Sequence, residues 1–211
     1  MVRNMPTRSF LKSINWIIFL PVKILSRCLI GVNAFMLRDD FDRCIKAVDG
    51  ARELPNAFIN ALIAAEDHRN AFHLGVDPVG IFRAVYVALT TGKRQGASTI
   101  EQQFVRVVTQ RYELTIRRKF REQILAIAIC SSCSKRKIAE AYLCIAFYGF
   151  EKTGYSVIQD CINGRHEDVL HVIACLRYPE PAVENLEWRA RIKNRICYID
   201  KRLVVFGLVD S

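Results

Sequence analysis

Past residue 50 the apolar residues of this chain recur every three or four positions, the spacing of one helix face. The pattern covers 55–67, 78–92, 99–111, 114–131, 134–147, 166–177 and 186–204. Sustained alternation is scarce, and Leu203-Val204-Val205-Phe206 is the best candidate for a short strand. Gly75, Pro78, Gly92 to Gly96, Gly149 to Gly154, Gly164 and Pro179 to Pro181 fall between the helices, where chain breakers belong. The pattern predicts a mainly α body with no internal repeat and no low-complexity segment.

The N-terminal stretch differs. Arg3, Arg8 and Lys12 precede a run from Ile14 to Leu37 in which only Lys23 and Arg27 are charged. Its length suffices for a bilayer at about 1.5 Å per residue. Two cations near mid-span cost about 2.5–3.5 kcal/mol each on insertion scales. Positions 8, 12, 23 and 27 share one helical stripe, which also suits an amphipathic helix lying among lipid headgroups. A cleaved leader with Ile14–Val22 as its apolar region is a third option. The expectation is a membrane-anchoring segment over 1–40, spanning or interfacial, followed by one domain over 41–211.

Composition narrows the partner. Of 211 residues, 31 are basic and 21 acidic, a formal net charge of +10, while 51% are hydrophobic, as in a globular chain. The surplus favours a polyanionic partner such as nucleic acid, an anionic membrane or a phosphorylated substrate. No recognised module arranges these cations for nucleic acid, so no nucleic-acid partner is expected. Among eight cysteines, Cys130 and Cys133 have the spacing of half a zinc site; no second pair follows, so they read as structural.

Three clusters could carry chemistry. Phe58, Leu62 and Glu66 recur every four residues, so Glu66 ends an apolar stripe, and a partly desolvated carboxylate there suits a general base. Asp67 is placed to orient nearby donors, and His73 and Gly75 suit a turn folding back over the acid pair. Next, Ser98 with Glu101, or Thr99 with Gln102, makes a capping box that starts a helix. Thr99, Gln102, Gln103 and Arg106 then form a polar, cationic wall near an anion-attracting helix end. Finally, Arg118 and Lys119 stand four and three residues before Glu122, which shares a face with Leu125 and Ile129 and points inward. Two inward glutamates with cations beside one fit transfer chemistry at a phosphorylated leaving group.

Together these residues resemble the peptidoglycan glycosyltransferase family, found as the transglycosylase module of class A penicillin-binding proteins and as monofunctional transglycosylases. The motif E-D-x-x-F-x-x-H-x-G is matched by Glu66, Asp67, His73 and Gly75. G-x-S-T-I-x-Q-Q-L-x-K is matched by Gly96, Ser98, Thr99, Ile100, Gln102 and Gln103, with Phe104 and Arg106 as close replacements. R-K-x-x-E is Arg118, Lys119 and Glu122, and the fourth pattern shows as Glu140, Tyr142, Leu143, Phe147, Tyr148, Gly149 and Gly154. No transpeptidase domain follows, so the monofunctional type is the closer match.

The resemblance implies a lysozyme-like helical fold, with a larger lobe and a smaller membrane-facing lobe. It implies an enzyme of the bacterial inner membrane, its domain on the extracytoplasmic side. Such an enzyme polymerises lipid II into glycan strands and releases undecaprenyl pyrophosphate, alongside other cell-wall synthesis proteins. Glu66 would be the base. Glu122 would manage the pyrophosphate directly or through a divalent cation (Mg or Mn), with Arg106, Arg118 and Lys119 offsetting charge. Asp67, His73, Ser98, Thr99, Gln102 and Gln103 would bind substrate, with Thr99, Gln102 and Gln103 lining the donor cleft. The chain departs from the pattern at Asn70, where Phe72 is a candidate to fill the space of the family Phe, and at Val107, Cys130, Cys144 and Glu151. These departures keep a non-catalytic cell-wall binding or scaffold homologue as one alternative; a lysozyme-like glycan hydrolase is the other.

Overall fold

A computed structural model describes residues 8–93, 95–162 and 164–208, with 8–19 and Phe35 as backbone alone. The helices are α1 (Arg8–Gly31), α2 (Leu37–Asp49), α3 (Asn56–Glu66), α4 (Pro78–Thr91), α5 (Ile100–Thr109), α6 (Ile116–Ser132) and α7 (Lys135–Ile145). A small hairpin, β1 (Phe147–Gly149) and β2 (Lys152–Thr153), precedes α8 (Tyr155–Cys161), α9 (His166–Cys175) and α10 (Leu186–Phe206). The mainly α expectation holds, and seven helices lie where the apolar periodicity put them, within a few residues.

Side-chain caps set several helix starts. Thr115, Ser134 and Asn185 accept from the backbone N–H three residues on, at the heads of α6, α7 and α10. The core has two linked halves. In one, α5 packs on α2, α6 and α7; in the other, α3 packs on α9 and α10 and also meets α7. Phe58, Leu62, Phe104, Leu125, Ile129 and Leu143 fill the centre. By contrast α4 stands out from this body, with Gly80 as its one buried residue.

Three expectations change. Leu203 to Phe206 is the last turn of α10, not a strand, because Leu203 completes the buried helical face of Trp188, Ile192 and Ile199. A four-residue apolar run carries no period of its own. Helix α2 crosses residue 40 and buries Leu37, Asp40, Cys44 and Val48 on one face, so it packs with the body. Among the described residues no helix is long and apolar enough to cross a membrane. The transmembrane expectation therefore finds no span in α1, whose second half, with Ser26 buried and Leu29 and Ile30 against the core, packs on α2 and α6. The cation Arg3 lies outside the described residues.

Asp40, 1% exposed, ties three segments together by pairing with Arg43, Arg111 and Arg121. Removing one partner of a buried ion cluster strands the other charges. Asp40→Ala should therefore lower unfolding stability by about 3–5 kcal/mol, read as a shift in urea midpoint at constant slope. A loss below about 1 kcal/mol would mark the cluster as effectively solvated.

Candidate active site

Glu66 is the last residue of α3 and opens into a cleft while the rest of its helix face is core. Arg195 of α10 donates to Glu66 Oε1 at 2.6 Å and to the Ala65 carbonyl at 2.9 Å. On the other side Gln103 Nε2 donates to Glu66 Oε2 at 3.0 Å, and the Tyr142 hydroxyl donates to Gln103 Oε1 at 2.9 Å. Burial pushes the Tyr142 phenol up, and the Glu66 charge adds to it, so Tyr142 stays a protonated donor. Both carboxylate oxygens are thus held, and the group is aimed rather than frayed.

The cleft has a volume of about 620 Å³. Its lining includes Arg83, Arg106, Arg177, Arg195 and Arg202 against one carboxylate, Glu66. Burial and the neighbouring Arg195 and Arg83 hold Arg202 below its usual range, so like charges crowd here. Burial and the charges of Arg202 and Arg83 also lower His68, which stacks on Phe206 at 5.1 Å. Such a cleft attracts and desolvates anions. Sequence reasoning missed Arg83, Arg177, Arg195, Arg202 and Tyr142 as site residues. A signal existed for two: Arg195, Tyr198 and Arg202 recur at helical spacing, and both guanidiniums lie over the Tyr198 ring at about 5 Å.

Of the expected site residues, Glu66, Ser98, Gln103 and Arg106 line this cleft. The others stand behind it. Asp67 is buried and accepts from His73 Nε2 (3.0 and 3.1 Å), Asn70 Nδ2 (3.4 Å) and the Ile100 backbone N–H (3.3 Å). Burial pushes the Asp67 carboxyl up, but the hydrogen bond and charge of His73, with Lys135 and Asn70, outweigh it and leave Asp67 below its usual range. Thr99 does cap α5, accepting from Gln102 N at 3.3 Å, but its hydroxyl donates to the Gly75 carbonyl at 2.7 Å instead of reaching the cleft. Gly75 has φ +83°, and a Cβ there would meet the Ala126 carbonyl oxygen at 2.2 Å, so this turn needs glycine. Gln102 is fully buried; its Oε1 accepts from Lys119 Nζ at 3.0 Å. Thr99 and Gln102 therefore do not line the large cleft as expected.

Glu122 also lies behind the wall, 3% exposed. It accepts from Arg106 (3.0 and 3.2 Å), Arg118 (2.7 Å) and Lys119 (2.6 Å), and Lys119 reaches on to Ser98 at 3.2 Å. Burial, together with the charges of Arg106 and Arg118, outweighs the hydrogen bond and charge of Glu122 and holds Lys119 below its usual range. Both Glu122 oxygens are taken by cations, so this donor set does not fit a divalent ion. Asp67, His73 and Glu101 bring one donor atom each within 4.8 Å of the others, but Lys135 Nζ already sits 2.5 Å from Glu101 and His73 on Asp67. Those contacts occupy Asp67 and Glu101 Oε1, while Glu101 Oε2 and His73 Nδ1 have no hydrogen-bond partner among the described residues.

The arrangement has relatives. Residues 42–172 match the family described as Transglycosylase. The chain belongs to the transglycosylase family. It is similar to penicillin-binding protein 1A of Escherichia coli, 42% identical over 119 residues, 56% of this chain and 14% of that protein. The same protein of Haemophilus influenzae is 40% identical over 114 residues, 54% and 13% of the two chains. That of Rickettsia felis is 31% identical over 167 residues, 75% and 21%. Matches to these curated relatives thus span about an eighth to a fifth of their length. Transglycosylase membership makes the chain a glycosyltransferase.

The departures from the transglycosylase pattern have physical partners. Asn70 is buried and bridges Asp67 to Glu101 Oε1 at 3.2 Å, so a polar network takes the place of the family Phe. Phe72 does not substitute for that ring, because it is 46% exposed. Glu151 turns the hairpin at φ +56°, which explains glycine in the pattern. The Cys144 thiol lies 3.9 Å from the Arg52 carbonyl. All eight cysteines are free, and burial pushes the Cys130 thiol up to about 11.

Because Asp67 is depressed in the fold, the unfolded chain binds its proton more readily, so stability rises with pH through that interval. The contribution is complete above the unfolded value of about 3.9 and is lost as pH falls through the lower folded value. Wild type and Asp67→Asn should therefore differ in denaturant stability at pH 7 and converge below about pH 4. A gap unchanged down to pH 2 would remove this carboxylate from the acid response.

Proposed function

We propose that the protein polymerises lipid II into peptidoglycan glycan strands, releasing undecaprenyl pyrophosphate. Glu66 takes the proton from the 4-hydroxyl of the acceptor sugar. The freed oxygen attacks the anomeric carbon of the growing strand, and the bond to pyrophosphate breaks. Gln103 and Arg195 hold Glu66 in position, with Tyr142 behind Gln103. Glu122 is a positioning residue that acts through Arg106, Arg118 and Lys119, and no step passes through a metal.

One observation carries this reading: among the described residues, the cleft lining pairs one carboxylate with five arginines. A glycosidase needs a second carboxyl group to protonate an alcohol leaving group. A pyrophosphate leaves as an anion and needs cations instead. The departures that motivated a non-catalytic homologue leave the surroundings of Glu66 filled and hydrogen-bonded.

The lipid end of the substrate also finds a counterpart. Phe82 and Leu89 on α4, with Leu114 and Ile116 beyond α5, are between 74% and 96% exposed. Leu20, Val22, Ile24 and Leu25 of α1 are exposed as well. These surfaces suit the interface of a bacterial inner membrane, with α4 as the membrane-facing lobe, α1 lying in the headgroup region and the cleft on the extracytoplasmic side.

Incubation with labelled lipid II tests the reading. Wild type should yield long glycan chains, and Glu66→Gln should lose about 10²- to 10⁴-fold in rate, the usual share of a general base. Cleavage of preformed glycan without polymerisation would turn the cleft into a hydrolase. Binding without turnover would leave a scaffold.

A further inference from the structure

A second cavity, about 200 Å³, lies among α8, α9 and the hairpin and shares no lining residue with the large cleft. Its wall holds His171, Cys175, Glu180 and Cys161. The first three each bring a ligand atom within 4.8 Å of the other two. Nitrogen, thiol and carboxylate donors at one point are the donor set of a borderline-soft divalent ion.

The backbone presents them in a fixed way. His171 and Cys175 are four apart on α9 and so stack on one face, a turn apart. Glu180 is clamped to the hairpin: its N–H donates to the Tyr148 carbonyl at 2.9 Å, and its own carbonyl accepts from Phe150 N at 2.7 Å. Gly149 makes that clamp possible, because a Cβ there would meet Glu180 backbone at 2.6 Å, and its φ is +157°. The Cys175 side chain is inside the protein, 2% exposed, and free of any disulfide. Lys152 Nζ lies 2.7 Å from each Glu180 oxygen and must leave before Glu180 can hold an ion; its side chain is half-exposed, so it can swing into solvent.

We infer that His171, Cys175 and Glu180, with Cys161 on the wall of the same cavity, form a binding site for a divalent cation of the zinc class. Tetrahedral bonds of about 2.0–2.3 Å place donors roughly 3.5 Å apart, so from separations within 4.8 Å binding must draw the three together and displace Lys152 from Glu180. Binding breaks the Cys175 S–H bond, the sulfur keeps the electron pair and donates it to the ion, and the proton leaves to solvent. The ion stays divalent, and no oxidant or reductant takes part. It would join the end of α9 to the segment that carries Glu180. Leu176 and Arg177, the next two residues after Cys175, line the large cleft, so the ion would also fix the chain that delivers Arg177 there.

Cobalt serves as the optical probe. The full chain, reduced and stripped by a chelator, should take up one equivalent of Co²⁺ with a near-ultraviolet thiolate-to-cobalt band, and Zn²⁺ should displace it. Cys175→Ser should abolish the band. Glu180→Gln, which keeps the backbone clamp, and His171→Gln should each weaken uptake at least about tenfold without changing the far-ultraviolet spectrum. Those two variants keep the test decisive even where Cys175→Ser fails to fold. Absence of uptake overturns the inference. So does unchanged affinity in both Glu180→Gln and His171→Gln, or a band that disappears with Cys130→Ser/Cys133→Ser instead. None of these outcomes depends on the polymerase activity.

Discussion

Glu122 is a carboxylate without water. A lone ion of that kind costs several kcal/mol to bury, so the fold must bring cations to it. Arg106 comes from α5, while Arg118 and Lys119 come from the first turn of α6. Meeting that one requirement fixes α5 against α6. Lys119 extends the constraint to Ser98 and Gln102 at the head of α5. With that helix held, Gln103 faces Glu66 and Arg106 faces the cleft. The catalytic-looking triplet of Arg118, Lys119 and Glu122 is therefore the foundation of the wall more than its surface.

A second buried carboxylate follows the same logic with different residues. Lys135 at the head of α7 meets its anion on α5. That anion is Glu101, 1% exposed, and Asn70 donates to both Glu101 and Asp67. Asn70 and Cys130 depart from the transglycosylase pattern, and Glu101 stands at one of its unconstrained positions. Lys135 and Asn70 both donate to Glu101 Oε1, so the buried charge is compensated although Glu101 Oε2 and His73 Nδ1 have no hydrogen-bond partner among the described residues.

The sequence made the helices legible because each buries a face with its own period. It could not show that the last apolar run belongs to α10, because four residues carry no period. Glu66 was legible as the end of an apolar stripe, but its partner Arg195 stands 129 residues away. Only packing of α10 on α3 brings them together. Motif membership also blurred two roles. Residues that face a substrate and residues that hold those residues up are equally constrained, so Thr99 and Gln102 read as cleft lining and Glu122 as handling the pyrophosphate, whereas Gln102 and Glu122 are buried behind the wall and Thr99 caps α5. Burial separates the two, and burial depends on contacts distant in the chain.

The five arginines of the cleft are not held alike. Arg106, Arg195 and Arg202 project from helices packed into the core, and Arg177 follows α9 directly. Arg83 rides on α4, which is nearly all exposed. Stabilising charge in a transition state calls for groups already in place, since reorganising them at the moment of reaction costs what they would contribute. The core helices meet that demand. Helix α4 meets a different one, because its apolar side chains need a surface to lie against. On the proposed reading, a substrate with a charged head and a lipid tail would satisfy both at once: the head would enter the preorganised arginines, and the tail and its bilayer would cover α4. Arg83 would then be set by the membrane and the substrate together, and the exposure of α4 would be part of the site's design and not a defect in packing.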